Sequence, residues 1–235
     1  MTAALMTLLE VGAFAFCAIV ALTGVQVLLT AWHMRRGTYI RGRACLPDEP
    51  LPDELLPVEH DLRGLGFIPS RRIGYRLIFQ NDPLVAWCYL HPELNIEASL
   101  TPTRTRPPFL AAFETAFADH AALVTWYPRG QHIETPLFLG RFAHNSLFEA
   151  YDHHLLTQLL WTEQHGETLP VPEDDVEYLA ASEAFYARHG SALFAPLIKQ
   201  LIGQGIGRLG IALFFVGLVL TLRAGAGPTM IDFRE

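Results

Sequence analysis

The sequence predicts an α+β chain in which two transmembrane helices flank a cytoplasmic domain with a mainly antiparallel meander sheet and packed helices. Three observations predict it. Two long apolar runs lie towards the ends, short aromatic and branched segments separated by turn residues lie between them, and helical spacing then takes over up to the second run. Across 235 residues the composition is 51% apolar against 17% charged, with mean hydropathy +0.23, which is less charge than a fully soluble chain of this size carries. Three cysteines exclude a disulfide framework, and the apolar and aromatic content excludes a disordered chain.

The first apolar run, Val11 to Ala31, holds no charge, and its polar side chains are Thr23, Gln26 and Thr30. At 1.5 Å per residue it extends about 31 Å, enough to cross the hydrocarbon core. Its basic residues, Arg35, Arg36, Arg41 and Arg43, follow the run and do not precede it, so its flanks are those of an anchor and not of a signal peptide. The second run, Leu209 to Leu222, reaches spanning length once Ile206 is included and once Arg208 and Arg223 lay their stems along it. The excess of arginine after the first run and before the second places the middle of the chain in the cytoplasm and both termini outside. Trp32, Arg35, Arg36, Lys199, Arg208 and Arg223 are then the membrane-interface residues. Lys199 is the only lysine, and this arginine bias points to a GC-rich bacterial genome and hence to an inner membrane.

Charge divides along the same line. Residues 44–198 carry net −12 and the remainder net +5. An acidic domain repels phosphate backbones, so no nucleic-acid partner is expected, and the basic collar suits anionic lipid headgroups.

The expected organisation is an outward N-terminus and first span over 1–34, a basic collar and Pro- and acid-rich linker over 35–57, and the α+β domain over 58–190. An interfacial amphipathic helix over 191–204, kinked at Pro196, leads to the second span over 205–223 and a short outward tail over 224–235. Within the domain, a short helix near 54–65 is stopped by Gly64 and Gly66. Extended segments follow near 72–80, 84–90, 96–101, 109–117 and 121–127, with turns at Asn81-Asp82-Pro83, His91-Pro92 and Ala118-Asp119-His120. The connections are too short for crossover helices, so the strands form a meander. Asn145 is a helix cap, and Phe148, Tyr151, Leu155 and Leu159 give the next helix its apolar stripe. Glu173, Asp174 and Asp175 open a further helix that runs to about Arg188.

Chemistry is harder to find. Gly205-x-Gly207-x-x-Gly210 has the dinucleotide spacing but lacks the preceding strand that would place phosphate at a helix amino end. Small residues explain these glycines better. Gly203, Gly207, Gly210 and Gly217 fall on one helical stripe, and Ala13, Cys17, Gly24 and Ala31 form a matching one in the first span, the pattern that lets two helices approach closely in lipid. Glu149 and His153 share a helix face but make half a metal site at most, and Cys88 with His91 lacks a completing pair. Cys88, among Val85, Trp87 and Tyr89, reads as a small core residue. Hydrolase, protease, P-loop and kinase signatures are missing. No catalytic, cofactor-binding or metal-ligating residue is therefore assigned, and no cofactor is expected.

These features favour a noncatalytic accessory or scaffold subunit of a larger membrane complex, docking on other membrane subunits or on a second copy through its small-residue helix faces. Two other readings carry specific residues. One is a membrane-tethered enzyme using His120, Glu149 or His153, and the other is a lipid-sensing module reading anionic headgroups through Lys199 and the arginine collar.

Overall fold

The computed structural model describes residues 2–36, 39–77, 84–103, 106–130, 132–143 and 145–225. The Asn81-Asp82-Pro83 turn and the tail beyond Gly225 lie outside the described residues, as do the surroundings of Gly217 and the side chain of Arg223. The chain forms two compact units, Met1–His33 with Ala195–Glu235, and Met34–Phe194.

The first unit is built on two helices, α1 (Thr2–Arg35) and α5 (Ala195–Gly225). Among the described residues α1 is the one helix long and apolar enough to cross a membrane, over Val11–Arg35 with hydropathy 2.2. The face of α1 carrying Cys17, Gly24 and Ala31 is buried, while Phe16, Ile19, Leu22 and Val25 are exposed. α5 is one unbroken helix of 31 residues, so the expected interfacial helix and second span are a single element. The expected kink at position 196 falls in the first turn of this helix, where a proline's missing N–H breaks no helical hydrogen bond. The helices run antiparallel: Leu28 lies over Gly205, and Gly24 reaches on to Leu209.

The second unit contains an eight-stranded sheet in the order β1-β2-β3-β4-β5-β6-β8-β7. β1 (Ile40–Leu46), β2 (Ile68–Leu77), β3 (Leu84–His91), β4 (Ile96–Pro102), β5 (Phe109–Ala116) and β6 (Ala122–Tyr127) form an antiparallel meander. β7 (Ile133–Thr135) pairs antiparallel with β8 (Phe138–Phe142), which returns parallel to β6. Three strands thus stand where none is expected. β1 falls in the arginine collar, whose charges mask its extended pattern, and β7 and β8 are too short and Gly-interrupted to show alternation.

Alternation along the strands separates two buried faces. On one, Phe67, Tyr89, Ile96, Leu100 and Phe113 pack against α2 (Leu56–Gly64) and α3 (Leu147–His165). α3 is capped by Ser146, whose Oγ accepts from Glu149 N at 3.0 Å, not by the neighbouring Asn145. Its buried stripe is also turned from the expected one. Leu147, Ala150, Tyr151, His154 and Gln158 face inward, while Phe148 and Leu159 are exposed, because a buried His and Gln replace apolar residues on the inward side. On the other face α4 (Asp175–Leu193) covers Ile73 and Cys88 with Tyr178, and Val124 and Phe138 with Phe185 and Leu193. Asp174 caps α4, its Oδ1 accepting from Val176 N at 2.9 Å and Glu177 N at 3.0 Å. The helix continues past Arg188 and through Gly190 to Leu193, as packing of its inward face on the sheet outweighs the glycine's weak helix propensity.

Candidate functional site

The same alternation that directs Ile96, Ala98 and Phe113 to the α3 side directs Glu97, Ser99 and Glu114 beneath α4. There a cavity of about 370 Å³ lies between β2, β4, β5, the inward face of α4 and the segment Leu169–Pro172 that leads into it. Its floor holds Glu97 and Glu114, which are direct cross-strand partners. Tyr75, Phe185, Tyr186, Leu169 and Val171 supply mostly apolar and aromatic walls.

Like charges placed directly opposite one another in a sheet repel, and burial sharpens the effect. The two carboxyls are relieved unequally. Tyr178 donates its hydroxyl to Glu97 Oε1 at 2.6 Å. The Cys88 thiol also bonds to Glu97, and the Arg71 charge lies near, yet burial outweighs all three and raises the Glu97 carboxyl above its ordinary range. Glu114 has no hydrogen-bond partner among the described residues. Burial first, and then the charge of Glu97, push it up to about 8 against the opposing pull of Arg43. The two arginines do not line the cavity. Arg43 stacks 4.1 Å from the Tyr186 ring centre, and Arg71 stacks 4.1 Å from that of Tyr178 while donating to Pro172 O at 2.6 Å. The arrangement therefore offers carboxyl oxygens, one proton near neutral pH, and apolar walls. Cys88, expected as a core residue, is buried in the cluster with Ile73 and Tyr178, and its sulfur is also part of this network.

Sequence reasoning missed Glu97 and Glu114 because each sits on a polar stripe, Glu97 with Ser99 and Thr101, that reads as the solvent face of a half-buried strand. The residues singled out for acid-base chemistry lie elsewhere and do not converge. Glu149 lies in the first turn of α3, with Oε2 accepting from Asn145 N at 3.3 Å. His153 is exposed on the same helix, and His120 sits in the turn after β5 with φ 71° and gives its carbonyl to His189 Nε2 at 3.0 Å. Asp119 in that turn accepts from Ala121 N at 2.9 Å and pairs with His165, not His120, at 2.8 Å, which holds its carboxyl below the usual range. Among the described residues no group of three His, Cys, Asp or Glu side chains is placed to hold a metal.

The helix-packing residues divide. Gly24 is buried, and a Cβ there would stand 3.2 Å from both the Gly205 carbonyl oxygen and Leu209 Cγ. Cys17 and Ala31 are buried with it, and Ala13 is half-buried. On α5 the face that meets α1 is not the Gly203-Gly207-Gly210 stripe, which looks into open space, but the one carrying Ile198, Gly205 and Ala212. The reason is size. Gly205 is where Leu28 inserts, and a Cβ at that position would come within 2.6 Å of Leu28 Cγ. Gly205→Leu should therefore destabilise the helix pair by about 1–3 kcal/mol, whereas Gly207→Leu should leave it unchanged, as read from the denaturant midpoint of helix loss in detergent micelles.

Trp32, Arg35, Arg36 and Lys199 are exposed. Arg208, expected at the inner interface, sets its Cβ beside Gly24, seven residues before Ala31 and so about 10 Å along α1 from that end of the apolar run.

The chain matches no family model, and comparison with curated proteins and with solved structures finds no match either.

Proposed function

We propose that this chain is a membrane-anchored, noncatalytic accessory subunit of a larger membrane assembly. In this reading α1 and α5 both cross the bilayer as an antiparallel hairpin, the termini lie outside, and the acidic domain of residues 34–194 lies in the cytoplasm of a bacterial cell. The observation that carries it is the Gly24–Gly205 crossing. Two apolar helices in lipid gain little from hiding hydrocarbon, so a close crossing built on glycine supplies the dispersion contact that keeps them together.

The crossing also uses up the small-residue face of α1 within the chain. What remains outward is the α5 face with Gly203, Gly207 and Gly210, and there a helix of another subunit or of a second copy docks. Lys199, Arg35 and Arg36 hold anionic headgroups at the inner surface.

The test uses the full chain, purified in mild detergent from its native membrane. It should resist alkaline carbonate extraction, and reporters at both ends should read outside. It should also migrate as a complex that Gly207→Leu with Gly210→Leu disperses into monomers. A lone wild-type monomer, or a cytoplasmic terminus, would overturn the proposal.

A further inference from the structure

The cavity beneath α4 is left unused by that reading. A sheet gains nothing from two facing carboxylates under a helix, and small residues like their same-face neighbours Ser99, Ala112 and Ala116 would pack there without repulsion. The network around them satisfies one and not the other. Glu97 receives Tyr178 and Cys88, and Glu114 receives no hydrogen bond among the described residues; Arg71 is held by the Tyr178 ring, Pro172 O and Asp175, and Arg43 stacks on Tyr186 with its Nε buried and without an acceptor. Both carboxyls line a space of about 370 Å³ whose other walls are largely hydrocarbon and aromatic. That volume is at the small end of the roughly 300–1,000 Å³ that small-molecule sites occupy.

We infer that this cavity is a binding site for a small organic ammonium ion, whose N–H groups bridge Glu97 and Glu114 while its hydrocarbon body rests on Phe185 and Val171. The chemistry is complementary in each part. Ammonium donates up to three hydrogen bonds, to Glu114, which lacks a donor among the described residues, and to the lone pairs that Tyr178 and Cys88 leave open on Glu97, and its charge offsets the repulsion between the carboxylates. A short alkyl body fills apolar space that a hydrated metal ion would leave unsatisfied.

Binding moves a proton. Without the cation the pair holds one near neutral pH, since burial and the Glu97 charge push the Glu114 carboxyl up to about 8. The bound cation replaces it, and the proton leaves to solvent. The other ionisable groups around the pair are Arg43 from β1, Arg71 and Tyr75 from β2, Cys88 from β3, and Tyr178 and Tyr186 from α4. Burial raises the tyrosines and the thiol, so they stay neutral and do not compete.

The experiment titrates butylammonium chloride into the full chain in micelles by calorimetry, in two buffers of different ionisation heat. Butan-1-ol serves as the neutral control. Butylammonium should bind with release of close to one proton at pH 7, and its affinity should rise up to tenfold per pH unit from pH 6 towards 8. Glu97→Gln and Glu114→Gln should each weaken it at least tenfold. Should either variant fail to fold, Ala181→Trp, which fills the cavity from its α4 wall and leaves both carboxyls in place, should abolish binding with the unfolding midpoint unchanged. Failure of butylammonium to bind at millimolar concentration, equal binding of butan-1-ol, unchanged binding to the glutamine or tryptophan variants, or preferential uptake of a divalent cation would each overturn the inference. None of these outcomes bears on membrane anchoring.

Discussion

Replacing His154 by alanine is expected to cost the domain about 3–5 kcal/mol, the largest effect of any single side chain described above. The imidazole, on α3, is fully buried over the paired strands β5 and β6, with Nε2 2.9 Å from Thr115 Oγ1 and Nδ1 3.0 Å from Thr125 Oγ1. A neutral ring has one donor and one acceptor, which the two rotatable hydroxyls match in either tautomer. Alanine leaves both hydroxyls, themselves buried, without that partner and opens a void beneath Phe113. His154→Gln keeps a donor and an acceptor and should lose less. Near-UV circular dichroism during denaturant unfolding of the full chain in micelles checks both. A loss below 1 kcal/mol for the alanine variant would contradict the central place given to this hydrogen-bonded triad.

The second large effect is a stability profile with a plateau in mildly acidic solution and a decline on each side. Burial holds His154 at about 3, against an ordinary value of 6.5, so the unfolded chain binds a proton that the native chain refuses. Stability contributed this way is complete above 6.5 and is lost as pH falls towards 3, by up to about 1.4 kcal/mol per pH unit. Glu114 acts with the opposite sign. Its carboxyl is raised from 4.5 to about 8, so the native chain keeps a proton that the unfolded chain releases, and stability is lost as pH rises from 4.5 to 8. Between 4.5 and 6.5 the two slopes oppose and cancel, and the plateau lies there. Glu97, raised in the same direction, adds to the loss from 4.5 upward and so tilts the plateau towards its acid end. Thermal midpoints measured from pH 3 to 9 should show both limbs. Glu114→Gln should flatten the alkaline one and spare the acid one. A variant that retains the full alkaline decline would show that the carboxyl pair is not its source.

Much of the architecture is legible in the residues because it follows from period. Helical spacing near 146–164 and 175–188, and short branched segments parted by Asp, Asn, Gly and Pro, foretell α3, α4 and the strands β2 to β6 to within a few residues. The Asp119 turn is legible for a local reason, since a short acceptor side chain bonds the backbone two residues on, whatever the rest of the fold does. The stripe on α1 is legible too, because its small residues differ in size from everything around them. The α5 stripe misleads for the same reason: four glycines share one face, but packing selects the single glycine on the opposite side that Leu28 requires.

Sequence alone determined the apolar length of α1, the caps and turns, and the two-residue alternation that sends Glu97 and Glu114 to the same side of their strands, since each depends on atoms a few residues apart. Tertiary structure alone decided that those glutamates face each other in register, that α4 roofs them, and that His154 lies between two threonines. These depend on which segments meet across 17 to 81 residues of chain, and a polar stripe on a strand carries the same letters whether water or a helix covers it.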